Sequence, residues 1–175
     1  MQETLLPLER PRTLREATVD VLRDAILEGR YLPGQKIIET QVAAELGISR
    51  APLREAASTL VDEGLLIKKP FSGYSIPPLS TKIVQDLYLM RTALEVFAVE
   101  QCWDRRNDEF RVELDDRNQL LLEAVGERRQ AASIKAELNL HGLVYEWSDN
   151  ELLKAFWRKM QGQLQIYWSA HQRIH

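Results

Sequence analysis

With 175 residues, 45% of them apolar and 28% charged, the chain has the make-up of a globular protein with enough apolar side chains for one large or two small cores, and two domains are expected. It contains no run of about eighteen apolar residues, and Met1 to Pro11 lacks the basic start and apolar centre of a leader, so a membrane span and a signal peptide are not expected and a cytoplasmic location is. The net charge is −3, and the first eighty residues hold ten Lys/Arg against eleven Asp/Glu, so bulk charge lends no support to nucleic-acid binding, and any such function has to rest on where the basic residues stand.

Residues 1–12 mix Leu5, Leu6 and Leu8 with Pro7 and Pro11 and read as an N-terminal arm. From Thr13 to Glu28, Leu14, Ala17, Val21, Leu22, Ala25 and Ile26 recur at helical spacing, and Gly29 closes the segment. Tyr31-Leu32-Pro33-Gly34 is a turn, and Lys36-Ile37-Ile38 a short strand. Thr40 to Leu46 is a second helix, and Gly47 supplies the turn that follows it. Ser49 then reads as the N-cap of a third helix, its hydroxyl accepting from a first-turn amide, with Pro52 tolerated because first-turn N–H groups lack intrahelical partners. Leu53, Ala56, Ala57, Leu60 and Val61 form the buried stripe of this helix, which leaves Arg50, Arg54 and Ser58 outside. Helix, glycine turn and capped helix with basic first turns is a helix-turn-helix, whose second helix enters the DNA major groove.

After Gly64, Leu65 to Lys69 reads as a strand, Pro70-Phe71-Ser72-Gly73 as a connection and Tyr74-Ser75-Ile76 as the returning strand, which together make a wing. Lys68 and Lys69 stand at its base, either as phosphate contacts or as plain solvated charges, and Gly73 lets the tip come close to DNA. Pro77-Pro78 marks a junction, and strand signals vanish beyond it. Four helices are expected: Ile83 to about Trp103, a second around Phe110 to Leu121, Ile134 to Trp147, and Leu152 to Ile166 or beyond, the last capped from Ser148-Asp149-Asn150. The lone Cys102 forms no internal disulfide, fits a reducing compartment and reads as a semi-buried helix residue. The fold class is therefore mainly α: residues 13–76 a winged helix-turn-helix, 77–81 a linker, and 82–175 an antiparallel helical bundle.

Leu32-Pro33-Gly34, Glu39, the run Ala43 to Arg50, Pro52-Leu53-Arg54-Glu55-Ala56, Leu60, Glu63-Gly64-Leu65 and Gly73 stand at offsets that resemble the winged helix of GntR-family transcriptional regulators. Leu87 to Arg91, Ala93-Leu94-Glu95, Glu137 to His141 and Asn150 to Leu153 are similar to the FadR-type (FCD) ligand-binding domain of the same family. The resemblance implies a homodimer that reads a palindromic operator, with Ser49, Arg50, Ala51, Pro52 and Arg54 at the DNA, Lys68, Lys69 and Gly73 on the wing, and a small organic acid as effector. Arginine suits base reading because its planar fork can pair with guanine O6 and N7 together. The competing reading of Arg54 pairs it with Glu55 or Glu63 on a solvated helix face. Thr40 stands where some relatives carry arginine, which leaves operator preference open.

Many members of the family hold a divalent metal through an Asp and a His four residues apart plus two later histidines. Glu137 and His141 occupy the first two places, and the later pair is expected in helices that would follow residue 175. An i, i+4 carboxylate and imidazole share one helix face and suit Zn, Ni or Mn. Arg91, Trp157 and His171 are the effector-pocket candidates, although Arg91 with Glu95 also reads as a structural helix pair. The remaining aromatic residues read as core or dimer contacts. Two other functions fit the same residues: a metal-dependent enzyme built on Glu137 and His141, and a winged-helix module that binds protein. No Ser/His/Asp or Cys/His constellation supports the enzyme.

Overall fold

The computed structural model describes residues 12–171, so the arm expected over 1–12 lies almost wholly outside the described residues. Helix α1 spans Leu14–Leu27, and a capping box sets its start: the Thr13 hydroxyl accepts from the Glu16 amide at 3.2 Å, and the Glu16 carboxylate accepts from the Thr13 amide at 2.7 Å. Strand β1 covers Lys36–Ile37, α2 Glu39–Glu45 and α3 Arg50–Asp62. Gly47 joins the two helices with φ +65, a conformation that other residues resist.

Strands β2 (Ile67–Lys69) and β3 (Gly73–Ser75) complete a three-stranded antiparallel sheet in the order β1-β3-β2. Leu65 and Leu66, expected in the strand, are not part of it. Both amides donate to the Leu60 carbonyl, at 2.9 and 3.1 Å, so the two residues wrap the end of α3 and fill the core at 1% exposure each. Val19, Leu22 and Ile26 from α1 pack there with Leu53, Ala56, Ala57 and Leu60 from α3, with Tyr74 of β3 and with Ile76 just after it.

A segment outside helix and strand, 76–80, leads to α4 (Thr81–Cys102), a 3-10 turn at Trp103–Arg105, α5 (Asp108–Gly126), α6 (Gln130–Trp147) and α7 (Glu151–His171). Polar caps set three of these starts: Ser80 accepts from the Ile83 amide, Asn107 from Phe110 and Asn150 from Leu153. Leu87, Ala98, Leu138, Tyr145, Leu153, Trp157, Met160 and Leu164 form the bundle core. Several apolar residues of α4 and α5, Ile83, Met90, Phe97, Leu114 and Leu120, are exposed, because the covered side of α4 runs through Leu87, Arg91, Ala98 and Cys102 and that of α5 through Phe110 and Ala124. Cys102 is fully buried rather than semi-buried, and Trp103 lies outside the core under the Arg106 guanidinium, 3.2 Å from its ring centre.

The two halves meet backbone to backbone. Helix α7 passes the end of α3 where Gly162 faces Glu63 and Gly64 faces Lys159, and Ile166 of α7 reaches into the core of the winged helix.

Candidate nucleic-acid interface and helical-domain cluster

The first turns of α3 face outward. Ser49, Arg50, Ala51 and Arg54 are exposed and Pro52 is half-buried. Ser49 is the N-cap residue, as expected, with extended backbone angles, but its hydroxyl makes no capping bond. The third helical residue, which usually donates that bond, is Pro52 and has no N–H. The hydroxyl and the start of the helix are therefore presented to the outside together.

Arg54 pairs with neither Glu55 nor Glu63. Its Nε donates to Glu39 Oε2 at 2.6 Å, while the Glu63 carboxylate accepts from Arg23 Nε and Nη2 at 3.0 and 2.8 Å. Glu39 opens α2, and its other oxygen lies 3.7 Å from where a Cβ on Gly73 would stand. One carboxylate thus sits between α3 and the wing. Lys68 lays its ammonium 5.7 Å from the ring centre of Tyr74, its cross-strand partner, and Lys69 projects to the opposite face of the pleat. The sequence reading passed over Phe71, which stands wholly exposed at the wing tip with φ 59°.

In the bundle, Arg91 is buried at 8% exposure and donates from Nε to Glu95 Oε2 at 3.2 Å. Its Nη2 lies 3.8 Å from Glu137 Oε1, and its guanidinium carbon 5.9 Å from the ring centre of Trp168. His141 Nδ1 hydrogen-bonds the other Glu95 oxygen. Glu137 and His141 do share the face of α6 that looks toward α4, yet they do not aim at a common point: Glu137 faces a guanidinium, and Glu95 takes the His141 nitrogen. Among the described residues no three His, Cys, Asp or Glu side chains converge as metal ligands. As arranged, Glu137 and His141 are each engaged by another side chain rather than aimed at an ion.

Trp157 is buried and stacks on Tyr145, with centroids 4.5 Å apart at 11°, and the Tyr145 hydroxyl is buried without a hydrogen-bond partner among the described residues. Burial, and then the Glu95 charge, push that hydroxyl's pKa well above the usual tyrosine value. Trp157 thus packs on Tyr145, whose hydroxyl lies within the field of Glu95 and Arg91. His171 is exposed beside Tyr167, about 21 Å along α7 from Trp157 at 1.5 Å per residue, so the two cannot grip one small molecule together. A cavity of 360 Å³ opens beside the cluster, lined by Glu95, Asp115, Asn118, His141 and apolar side chains.

Burial pushes the Glu95 carboxyl up, but the His141 bond and the Arg91 guanidinium outweigh burial and hold it below its ordinary value of 4.5. A carboxyl whose folded value is depressed contributes stability that is complete above the unfolded value and is lost as pH falls through the folded one. The melting midpoint should therefore drop as pH falls below 4.5, and Glu95→Gln should melt lower at neutral pH while losing less on acidification. Parallel acid profiles for the two proteins would show that Glu95 does not carry this dependence.

Residues 14–76 match the family model described as bacterial regulatory proteins, gntR family, and residues 86–175 match that of the FCD domain. The chain is 32% identical over 148 residues to the HTH-type transcriptional regulator YdhC of Bacillus subtilis (strain 168), covering 84% of this chain and 66% of that protein. It is 31% identical over 151 residues to the Nta operon transcriptional regulator of Aminobacter aminovorans, covering 83% and 70%. The solved structure of E. coli McbR/YncC superposes with a TM-score of 0.70 over 93% of this chain and 77% of that one, at 19% identity, a likeness of fold alone. The chain thus spans about two thirds of the length of the first of these relatives. No helix among the described residues is long and apolar enough to cross a membrane.

Proposed function

The chain belongs to the gntR family of bacterial regulatory proteins and carries an FCD domain, and from that membership we propose that it reads a palindromic operator as a homodimer, with an affinity set by a small organic acid bound in the helical bundle. The family consists of transcriptional regulators rather than enzymes. The observation that carries the DNA reading is the outward-facing pair Arg50 and Arg54 on the first turns of α3, with Arg54 oriented by Glu39. In this reading the two arginines contact base edges, Ser49 and the start of the helix meet a phosphate with Ala51 and Pro52 close against the backbone, and Lys69 and Gly73 bring the wing to the neighbouring strand. Lys68 contributes after swinging off Tyr74.

For the effector, the Tyr145 hydroxyl and the Arg91 guanidinium are donors a carboxylate can use, the first unsatisfied and the second shared between Glu95 and Glu137. An acid that takes Arg91 from these glutamates separates α4 from α6, and it regulates only by favouring one arrangement of the reading heads over another. We assign no role to a metal at Glu137 and His141.

Arg50→Ala and Arg54→Ala each remove a fork worth about 1–3 kcal/mol of base discrimination, so the preference for operator over random duplex should fall roughly 5- to 150-fold per substitution. Weaker binding with the preference intact would make both residues phosphate contacts and overturn the base-reading assignment.

A further inference from the structure

We propose that Phe71 is an apolar wedge, which enters the minor groove of the bound duplex and partly unstacks one base step; this rests on the DNA-binding reading above. The turn that carries it is Lys69-Pro70-Phe71-Ser72, closed by the Ser72 amide donating to the Lys69 carbonyl at 3.1 Å. Pro70 fixes its own φ at the second position, and Phe71 takes φ 59° at the third, where glycine or asparagine normally stands because L side chains resist positive φ. Phe71 is fully exposed, so no neighbour covers its ring. A left-handed phenylalanine and a bare aromatic ring are both unfavourable, and glycine would close the same turn without either.

The surroundings name the occupant. From Lys69 to Gly73 the tip carries a cation and no carboxylate, which suits a surface flanked by phosphates. The wing follows α3 directly in the chain, and Glu39 lies between Arg54 and Gly73, so the tip is held in a set relation to the recognition helix. With α3 in the major groove, the neighbouring phosphates and the minor groove lie to its side. Apolar side chains that enter DNA from the minor groove do so as wedges between base steps and kink the duplex. Phe71 is the right kind of side chain for this, projecting from a short turn stiffened by Pro70, with Lys69 beside it to hold the strand.

The test uses the duplex that this chain enriches from a random pool, carrying 2-aminopurine at successive positions. The unsubstituted protein should raise the fluorescence at one step near the wing, and Phe71→Trp should keep the rise. Phe71→Gly should lose it and bind on the order of tenfold more weakly, while melting no lower than the parent, because glycine relieves the positive φ. A rise that survives in Phe71→Gly, a lower melting midpoint in that variant, or selective binding with undisturbed stacking in the parent would each overturn the wedge. No preference between enriched and scrambled duplex would instead remove the DNA-binding reading, and the wedge with it.

Discussion

Arg91→Ala should lower folding stability by about 3 kcal/mol, measured as a shift in the urea midpoint at unchanged slope. Arg91 is the one charged side chain in the buried face of α4, and it faces two carboxylates, Glu95 on its own helix and Glu137 across the interface with α6. Removing it leaves Glu95 beside Tyr145 with only His141 to balance it. Breaking one side of a buried pair costs more than the pair contributes, because the remaining charge stays desolvated. The double variant Arg91→Ala/Glu95→Ala should therefore lose less than the sum of the two single variants. Additive losses would show that the two residues act independently.

The second large effect is expected at Gly162. In the interior of a solvent-facing helix, Gly→Ala stabilises by roughly 0.5–1 kcal/mol. Here the sign should reverse. A Cβ on Gly162 would lie 2.0 Å from the Glu63 carbonyl oxygen, and one on Gly64 would lie 2.0 Å from the Lys159 carbonyl oxygen, so neither site accepts a methyl unless the two halves move apart. Overpacking of this kind costs about 1–3 kcal/mol. Separation would also withdraw Ile166 from the winged-helix core, so Gly162→Ala should split a single calorimetric transition into two. Gly126→Ala, with open space around it, is the control and should be close to neutral. If Gly162→Ala melts later than the parent, the close contact is not what joins the halves.

The winged helix was legible because its signals are local. Thr13 with Glu16, Gly47, the stripe from Leu53 to Leu60 and the turn before Gly73 each act within a few residues, and the seven helices of the described residues follow from such spacing and capping. Long-range features were not legible in this way. Arg54 finds Glu39 fifteen residues back, and His141 finds Glu95 forty-six residues back, pairings that no periodicity encodes. The i, i+4 spacing of Glu137 and His141 did place both on one face of α6. What each meets there depends on the side of α4 that is turned toward it. Gly64 and Gly162 carry no joint signal, since the contact exists only once α7 crosses α3. Phe71 could have been noticed, because an aromatic residue after proline in a tight turn is a poor choice for the turn itself.

The central claim is that α3 and the wing form a sequence-reading head, and fluorescence anisotropy on two labelled duplexes tests it most directly. One duplex is enriched from a random pool by this chain and the other is its scrambled counterpart, each titrated at low and near-physiological salt. The enriched duplex should bind roughly a thousandfold more tightly at near-physiological salt, while binding to the scrambled one weakens steeply as salt rises. Equal affinity for the two duplexes at both salt concentrations would contradict the claim.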